Sequence, residues 1–158
     1  MKRIWTFFFI TAGLVSAGPC AAEKSNDVLL TVSGLITKTN SQDQKSYAFS
    51  FEDLQKVGDK KIQATTIDTG KSIYTGPLIR DILKTVGASP AAKDVILVGL
   101  DDYQVRVPMT DFEKWDVIVA HTLNGKRMVL ETKWPLWVMY PLDQGRTQAP
   151  RQSSFGTC

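Results

Sequence analysis

The stretch that most constrains the fold is residues 95–108, VILVGLDDYQVRVP. Residues 95–100 form a nearly unbroken apolar run, which is typical of a strand buried on both faces. Apolar residues then alternate with polar ones over 103–107, as in a strand with one face in water. The turn between them carries two adjacent carboxylates, Asp101 and Asp102. It is either an ordinary acidic hairpin turn or a place where a carboxylate meets a ligand.

The first 22 residues have the pattern of a secretory signal peptide. Lys2 and Arg3 precede an apolar stretch, and small residues follow up to Ala22, where we expect cleavage. This predicts a periplasmic mature chain. A lipid anchor on Cys20 is the alternative, although the proline before that cysteine fits an anchoring signal poorly.

Composition excludes several function classes. Cleavage lowers Lys+Arg from 19 to 17 against 16 acidic residues, so the net charge falls from +3 to about +1 and predicts no nucleic-acid partner. Only Cys158 remains, so no internal disulfide is expected. His121 is the only histidine, so neither a zinc cluster nor a nucleophile–histidine pair is indicated, and we name no catalytic or metal-binding residue. A packed or partly exposed strand position is the expected role of His121.

Local signals predict short helices. Ser50 and Asp53 have the spacing of a capping box before a helical apolar pattern. A second helix is expected to begin with Pro77 at its first position and to end at Gly87. Thr110, with a glutamate three residues later, predicts one further helical turn.

The remaining segments predict a mostly antiparallel or mixed sheet. Further strands are expected at residues 27–34, 62–69, 116–122, 126–131 and 134–141. A turn is expected at 70–72, and the pair Asn124-Gly125 is the strongest hairpin signal in the chain. The fold class is therefore α+β, with one domain at residues 23–142. The polar, aperiodic residues 143–158 are expected to be a disordered tail.

Several short motifs carry a family resemblance when they are taken together. They are TTIDT at 65–69, YTGPL at 74–78, GLDDY at 99–103, DVIVA at 116–120, NG at 124–125, WPLW at 134–137 and YP at 140–141. In this order and spacing they resemble the small secreted members of the sulfite-oxidase-type molybdopterin-binding domain family. The resemblance covers roughly residues 28–143 and implies the fold of that family.

The resemblance also bears on chemistry. Full enzymes of the family hold molybdenum through a cysteine on the strand that here contains Thr65, Thr66 and Thr69. A threonine hydroxyl does not replace a soft thiolate ligand, which argues against redox catalysis by the family mechanism. The cysteine-less secreted members resemble periplasmic proteins that bind a reduced pterin without metal. Those proteins report the pterin to a membrane-bound cyclic-di-GMP enzyme.

The resemblance implies a pterin site built from hydroxyl groups, carboxylates and aromatic rings. A carboxylate would accept hydrogen bonds from the amino-pyrimidinone edge, an aromatic ring would stack on or border the pterin, and a threonine would stand where the enzymes have cysteine. The expected ligand-binding residues are Thr66, Thr69, Asp101, Asp102, Tyr103, Trp134 and Tyr140.

Three functions remain open. The preferred one is a periplasmic sensor that binds a tetrahydropterin-like ligand and signals to the periplasmic part of a membrane protein. The second is a molybdopterin-dependent oxidoreductase with an unusual metal ligand, and the third is a protein-interaction module. Family members continue into a further strand, but residues 145–158 carry nothing of that kind. This predicts that the last strand is missing and that a sheet edge is exposed.

Overall fold

The computed structural model describes residues 28–129 and 135–144. The strands are β1 Leu30–Ser33, β2 Ser46–Phe49, β3 Asp59–Thr66, β4 Gly70–Pro77, β5 Asp94–Val98, β6 Gln104–Pro108, β7 Ile118–Ala120, β8 Thr122–Leu123, β9 Lys126–Arg127 and β10 Trp137–Met139. The helices are α1 Phe51–Val57, α2 Ile79–Thr85 and α3 Met109–Lys114, with a 3-10 turn at Leu142–Gln144. None of the described helices is long and apolar enough to cross a membrane.

All the strand pairs of the described residues are antiparallel. One sheet has the order β3-β4-β8-β9, and the pairs β1-β2, β5-β6 and β10-β7 form two-stranded sheets. The predicted α+β class with antiparallel strands and short helices is confirmed. The β5–β6 hairpin is present, as is the β8–β9 hairpin, whose turn residues Asn124 and Gly125 both have the positive φ that this turn type requires.

The core consists of two apolar clusters. In the larger cluster, residues of the three helices such as Leu54, Ile82 and Phe112 pack with β1 and β10. The smaller cluster lies on the four-stranded sheet and contains Tyr74 and Trp137. The two clusters share β7 and β10, because alternate residues of these strands belong to different clusters.

One ion-pair cluster holds α2 to the edge of the sheet. The carboxylate of Asp116, just before β7, accepts hydrogen bonds from Lys60 of β3 and from Arg80 of α2. Lys60 first, and then Arg80, hold the pKa of Asp116 below its usual value, although partial burial opposes them.

The predicted start of the first helix is confirmed. Ser50 Oγ accepts from the Asp53 backbone N–H at 3.2 Å, and the Asp53 carboxylate accepts from the Ser50 N–H at 3.3 Å. These two bonds satisfy donors that the first turn leaves free. The helix buries Leu54 and ends before Gly58.

The predicted boundary around β4 was wrong. Residues 70–72 begin strand β4 instead of forming a turn. The turn lies three residues earlier, at residues 67–69. Pro77 is the last residue of β4, not the first of a helix, and α2 begins at Ile79 with Leu78 as its N-cap. Gly76 in this strand is explained by close packing against Val119. Gly87, with φ of 65°, does follow the end of α2 as predicted.

Three smaller predictions were also wrong. Residues 95–100 are not buried on both faces, because Ile96 is 52% and Leu100 is 43% exposed. Thr110 does not cap α3, whose N-cap is Pro108 without a side-chain hydrogen bond. Strand β2 was not predicted. The predicted signal peptide and nearly all of the predicted tail lie outside the described residues.

Candidate functional site

Three hydroxyl groups meet where β3 turns into β4. Thr66 Oγ1 lies 2.8 Å from Thr69 Oγ1 and 3.5 Å from the Tyr74 hydroxyl, and Thr69 Oγ1 hydrogen-bonds the same Tyr74 hydroxyl. The backbone N–H of Thr69 also donates to Thr66 Oγ1 at 3.1 Å. The turn therefore holds a compact set of neutral donors and acceptors, which we call the hydroxyl cluster (Thr66, Thr69 and Tyr74).

The alternation of β3 explains why Thr66 and not Thr65 belongs to the cluster. Ile62, Ala64 and Thr66 face inward and are buried, whereas the residues between them are exposed. Thr65 faces outward, and its backbone N–H and its hydroxyl each donate to the Asp143 carboxylate at 3.2 Å. Asp143 thus fastens the 3-10 turn to the strand beside the cluster.

Tyr74 is held by packing on one side and by polar contacts along its strand. Its ring is fully buried and meets Trp137 edge to face, with centroids 5.8 Å apart. Asn124 accepts from the Ile73 N–H at 2.9 Å, which ties the β8–β9 turn to β4. These contacts fix the position of the Tyr74 hydroxyl and so the shape of the cluster.

The predicted residues Asp101, Asp102 and Tyr103 lie together in the turn between β5 and β6. Asp101 accepts from the Tyr103 backbone N–H at 3.2 Å, and Asp102 has a φ of 59°. Both carboxylates are exposed, and the Tyr103 ring is 46% exposed. No hydrogen bond within the described residues joins these side chains to the hydroxyl cluster.

Tyr140 follows β10 and belongs to the larger core cluster. It is only 7% exposed, and its hydroxyl donates to Asp111 of α3 at 3.5 Å. The Tyr140 ring therefore has no open face, and its hydroxyl is already bonded. Trp134 lies outside the described residues. The structure thus brings Thr66 and Thr69 together and leaves the other described site residues on two further elements.

The comparison with protein families gives one match. The family model for the oxidoreductase molybdopterin binding domain covers residues 27–149, which is most of the chain. This chain belongs to the oxidoreductase molybdopterin-binding domain family. The resemblance expected from the motifs is thereby confirmed. No curated protein sequence matches the chain.

A solved structure supports the fold of this molybdopterin-binding domain. The crystal structure of the sulfane dehydrogenase SoxCD from Paracoccus pantotrophus is similar, with a TM-score of 0.55 and 19% sequence identity. The match covers 72% of this chain and 33% of the SoxCD chain. The chain therefore spans about a third of the length of that protein, and the likeness concerns the fold alone.

The chemistry of the hydroxyl cluster decides whether these residues could hold the molybdenum of a molybdopterin-type group. Both cysteines of the sequence, Cys20 and Cys158, lie outside the described residues, and the inward position of the strand end is Thr66. Neutral hydroxyl groups are poor ligands for a metal that is held through thiolate, so a cysteine-bound molybdenum does not fit this cluster. Nor do the described residues contain a group of three histidine, cysteine or carboxylate side chains that could hold a metal ion.

Two residues were missed as site residues: Tyr74, which belongs to the hydroxyl cluster, and Asp143, which lies beside it. Tyr74 was part of the family motif, and its place on the inward face follows from alternation along β4, but its hydroxyl contact with Thr69 could not be read from spacing. Asp143 is 78 residues away from Thr65 in sequence, and no local pattern connects the two. His121 is a packed strand neighbour as expected, with both ring nitrogens hydrogen-bonded.

Proposed function

We propose that this domain binds a reduced, tetrahydropterin-like pterin without carrying out redox catalysis. The proposal also makes it a periplasmic sensor that reports the bound pterin to the periplasmic part of a membrane signalling protein. Membership of a molybdopterin-binding family supports a pterin-related ligand. The observation that carries the proposal is the hydroxyl cluster, which stands where the resemblance expects a metal-binding cysteine.

The hydroxyl cluster suits a neutral heterocycle. The three hydroxyl groups have more lone pairs than hydrogen atoms, and each O–H bond can rotate. The cluster can therefore present either a donor or an acceptor to a ligand. Thr69 is the partly exposed member and is therefore the first contact for a ligand that approaches the turn. Thr66 and Tyr74 act behind it, by fixing its hydroxyl.

The acidic turn would supply the second half of recognition. A pterin presents adjacent N–H donors on its amino-pyrimidinone edge, and a carboxylate can accept two of them at once. Asp102 and Asp101 are both exposed, although one Asp101 oxygen already accepts from the Tyr103 N–H, and the exposed ring of Tyr103 beside them can stack on a flat bicycle. Tyr103, Trp134 or Tyr140 would stack on the ring or border it.

Calorimetric titration of the purified mature chain with tetrahydropterin tests the proposal. Thr69→Val should weaken binding by roughly tenfold, because one neutral hydrogen bond is lost and a buried partner is left unpaired. Asp102→Asn should weaken it further, because a charged acceptor is replaced. Thr110→Val is the matched control, since Thr110 is exposed and its side chain caps nothing.

Two outcomes would count against the proposal. The first is the absence of measurable binding by a chain whose circular dichroism shows an intact fold. The second is molybdenum at close to one atom per chain in protein isolated from its native compartment, which would favour a molybdopterin-dependent oxidoreductase with an unusual ligand. A protein-interaction module would bind a partner unaffected by substitutions at Asp102 and Tyr140.

A further inference from the structure

A groove separates the β1–β2 pair from the β5–β6 pair. Its volume is about 770 Å³, and it is lined by all of β1, all of β5 and the apolar face of α2. All residues of both strands line the groove, and not only every second one. This is expected when the backbones of two strands face each other across a gap. Ile79, Ile82 and Leu83 of α2 form its floor.

The backbone of β1 has free hydrogen-bonding groups on the side of the groove. Thr31 lies opposite Ala48 of β2, but both backbone groups of Ala48 bond to the Asn40 side chain on the far edge, at 2.7 and 2.8 Å. The pair is therefore not hydrogen-bonded across the strands, and the N–H and C=O of Thr31 point away from β2. Ser33 has the same orientation, because Ser46 opposite it bonds to the loop at residues 40–41.

The backbone of β5 is free in the same way. The hydrogen-bonded positions at its two ends are Lys93, which accepts from Met109, and Gly99, which donates to Tyr103. Because bonded and non-bonded positions alternate, the even-numbered residues Asp94, Ile96 and Val98 point their N–H and C=O away from β6. None of these backbone groups has a hydrogen-bond partner among the described residues.

The two free edges face each other across the groove. We call the space between these edges the slot, and it is closed at one end. Beyond β1 the chain pairs directly with the segment before β5, where the Ser89 N–H donates to the Leu35 carbonyl at 2.8 Å and Ile36 bridges Ala88. From that junction β1 and β5 diverge, with opposite chain directions. A strand laid between them would be antiparallel to one and parallel to the other, and would join two hairpins into one five-stranded sheet.

The slot also lacks the features that normally keep an edge strand from pairing. Exposed edges usually carry lysine, proline or a bulge. The edge strand β3 has Lys60 and Lys61, whereas β1 (LTVS) and β5 (DVILV) together contain a single charged residue, Asp94. Such edges are suited to pairing with another strand.

The occupant must be extended and must carry apolar side chains at every second position. One face of an inserted strand would lie over the apolar floor on α2, and the other would lie beside Thr31, Ser33 and Ile96 in water. Residues 145–158 of this chain, GRTQAPRQSSFGTC, contain a proline and Phe155 as the one large apolar residue. They do not have the required alternation.

We propose that the groove between β1 and β5 accepts an extended segment of a partner polypeptide as an added strand. Backbone hydrogen bonds to Thr31, Ser33, Ile96 and Val98 would provide affinity, and the α2 floor would select apolar side chains at alternate positions. The groove is lined by none of the residues of the hydroxyl cluster, and the proposal does not depend on the proposed pterin binding.

The probe is a fluorescent, end-capped peptide of alternating valine and threonine, added to the full mature chain. We expect saturable binding, and slower amide hydrogen exchange at Thr31, Ser33, Ile96 and Val98 in the complex. A peptide of the same length with proline at every second position cannot donate to the edges and should not bind. These results are expected whether or not the domain binds a pterin, so the two proposals can fail separately.

Two proline variants of the chain serve as the test and its matched control. Ile96→Pro removes an N–H that faces the slot without removing a bond to β6, and should weaken peptide binding by about tenfold. Gln63→Pro removes an outward N–H from the β3 edge, as judged from the outward Thr65 N–H two residues on, and should leave binding unchanged.

Three results would overturn the proposal. One is the absence of saturable binding, and another is binding that leaves the exchange of these amides unchanged. The third is protection of the same amides in the free chain that disappears when residues 145–158 are deleted, since the chain's own end would then fill the slot.

Discussion

Gly76 of β4 lies directly against the backbone of Val119 in β7. A Cβ atom built on Gly76 would stand 1.9 Å from the Val119 carbonyl oxygen and 2.7 Å from its carbonyl carbon. Both atoms belong to the main chain, so no side chain can move aside. The absence of a side chain at Gly76 therefore lets β4 and β7 approach, and β7 carries residues of both core clusters.

Gly76→Ala is expected to destabilise the fold strongly. The two strands would have to separate, which disturbs packing in both clusters, and we expect the free energy of unfolding to fall by about 3 kcal/mol. The control is Gly70→Ala in the same strand, where a Cβ meets open space and only the φ of 61° is unfavourable. Its cost should be about 1 kcal/mol. Equal losses in urea unfolding would contradict the close approach.

Thr66→Val should lower the free energy of unfolding by about 1 kcal/mol even without ligand. The substitution keeps the shape of the side chain but removes an acceptor for the Thr69 N–H and a partner for two hydroxyl groups. Thr110→Val should change stability by less than about 0.5 kcal/mol, because the exposed Thr110 does not cap α3. A large effect at Thr110 would restore the capping role that the sequence predicted.

The α1 capping box makes stability depend on pH in a defined window. The pKa of Asp53 is lowered to about 2 by its hydrogen bond to Lys56 and by those to the side chain and backbone of Ser50. A lowered folded-state pKa means that the contribution is fully present above the unfolded value of about 3.9 and is lost as the pH falls towards 2.

Asp53→Ala should therefore cost on the order of 1 kcal/mol at pH 6, and the difference from wild type should shrink as the pH falls from about 4 to about 2. Urea unfolding followed by circular dichroism measures both. Asp68→Ala is the control, since Asp68 is exposed and has no side-chain partner in the described part of the chain. A cost for Asp53→Ala that stays constant down to the lowest pH would contradict the capping geometry.

Features encoded in a few neighbouring residues could be predicted from the sequence. The Ser50–Asp53 capping box, the Asn124-Gly125 turn and the β5–β6 hairpin each depend on a short pattern whose chemistry is local. The α+β class followed from the sum of such patterns, and the family followed from the order of the motifs. Thr66 and Thr69 were both named as site residues, but their contact was not predicted, because residues 62–69 were expected to form one strand and the turn at 67–69 brings them together.

Features that depend on distant contacts could not be predicted. Pro77 was interpreted as a helix start because proline is common at the first helical position, whereas it ends β4, and Gly76 before it lies against the backbone of Val119 across the sheet. The apolar run at β5 predicted burial on both faces, yet Ile96 and Leu100 are exposed. The fastening of Thr65 by Asp143 has no sequence signal at all.

The contact between the buried His121 and the more exposed Asp59 gives a further test of long-range packing. His121 is 1% exposed, its Nε2 lies 2.8 Å from Asp59 Oδ1, and its Nδ1 lies 2.8 Å from Thr122 Oγ1. His121→Leu leaves both partners without the imidazole and should cost about 2 kcal/mol. In a double-mutant cycle with Asp59→Ala, we expect a coupling energy of about 1 kcal/mol, because the two side chains are in direct contact. Strict additivity of the two substitutions would show that β7 is held against the start of β3 by packing alone, and that the imidazole contributes only its volume.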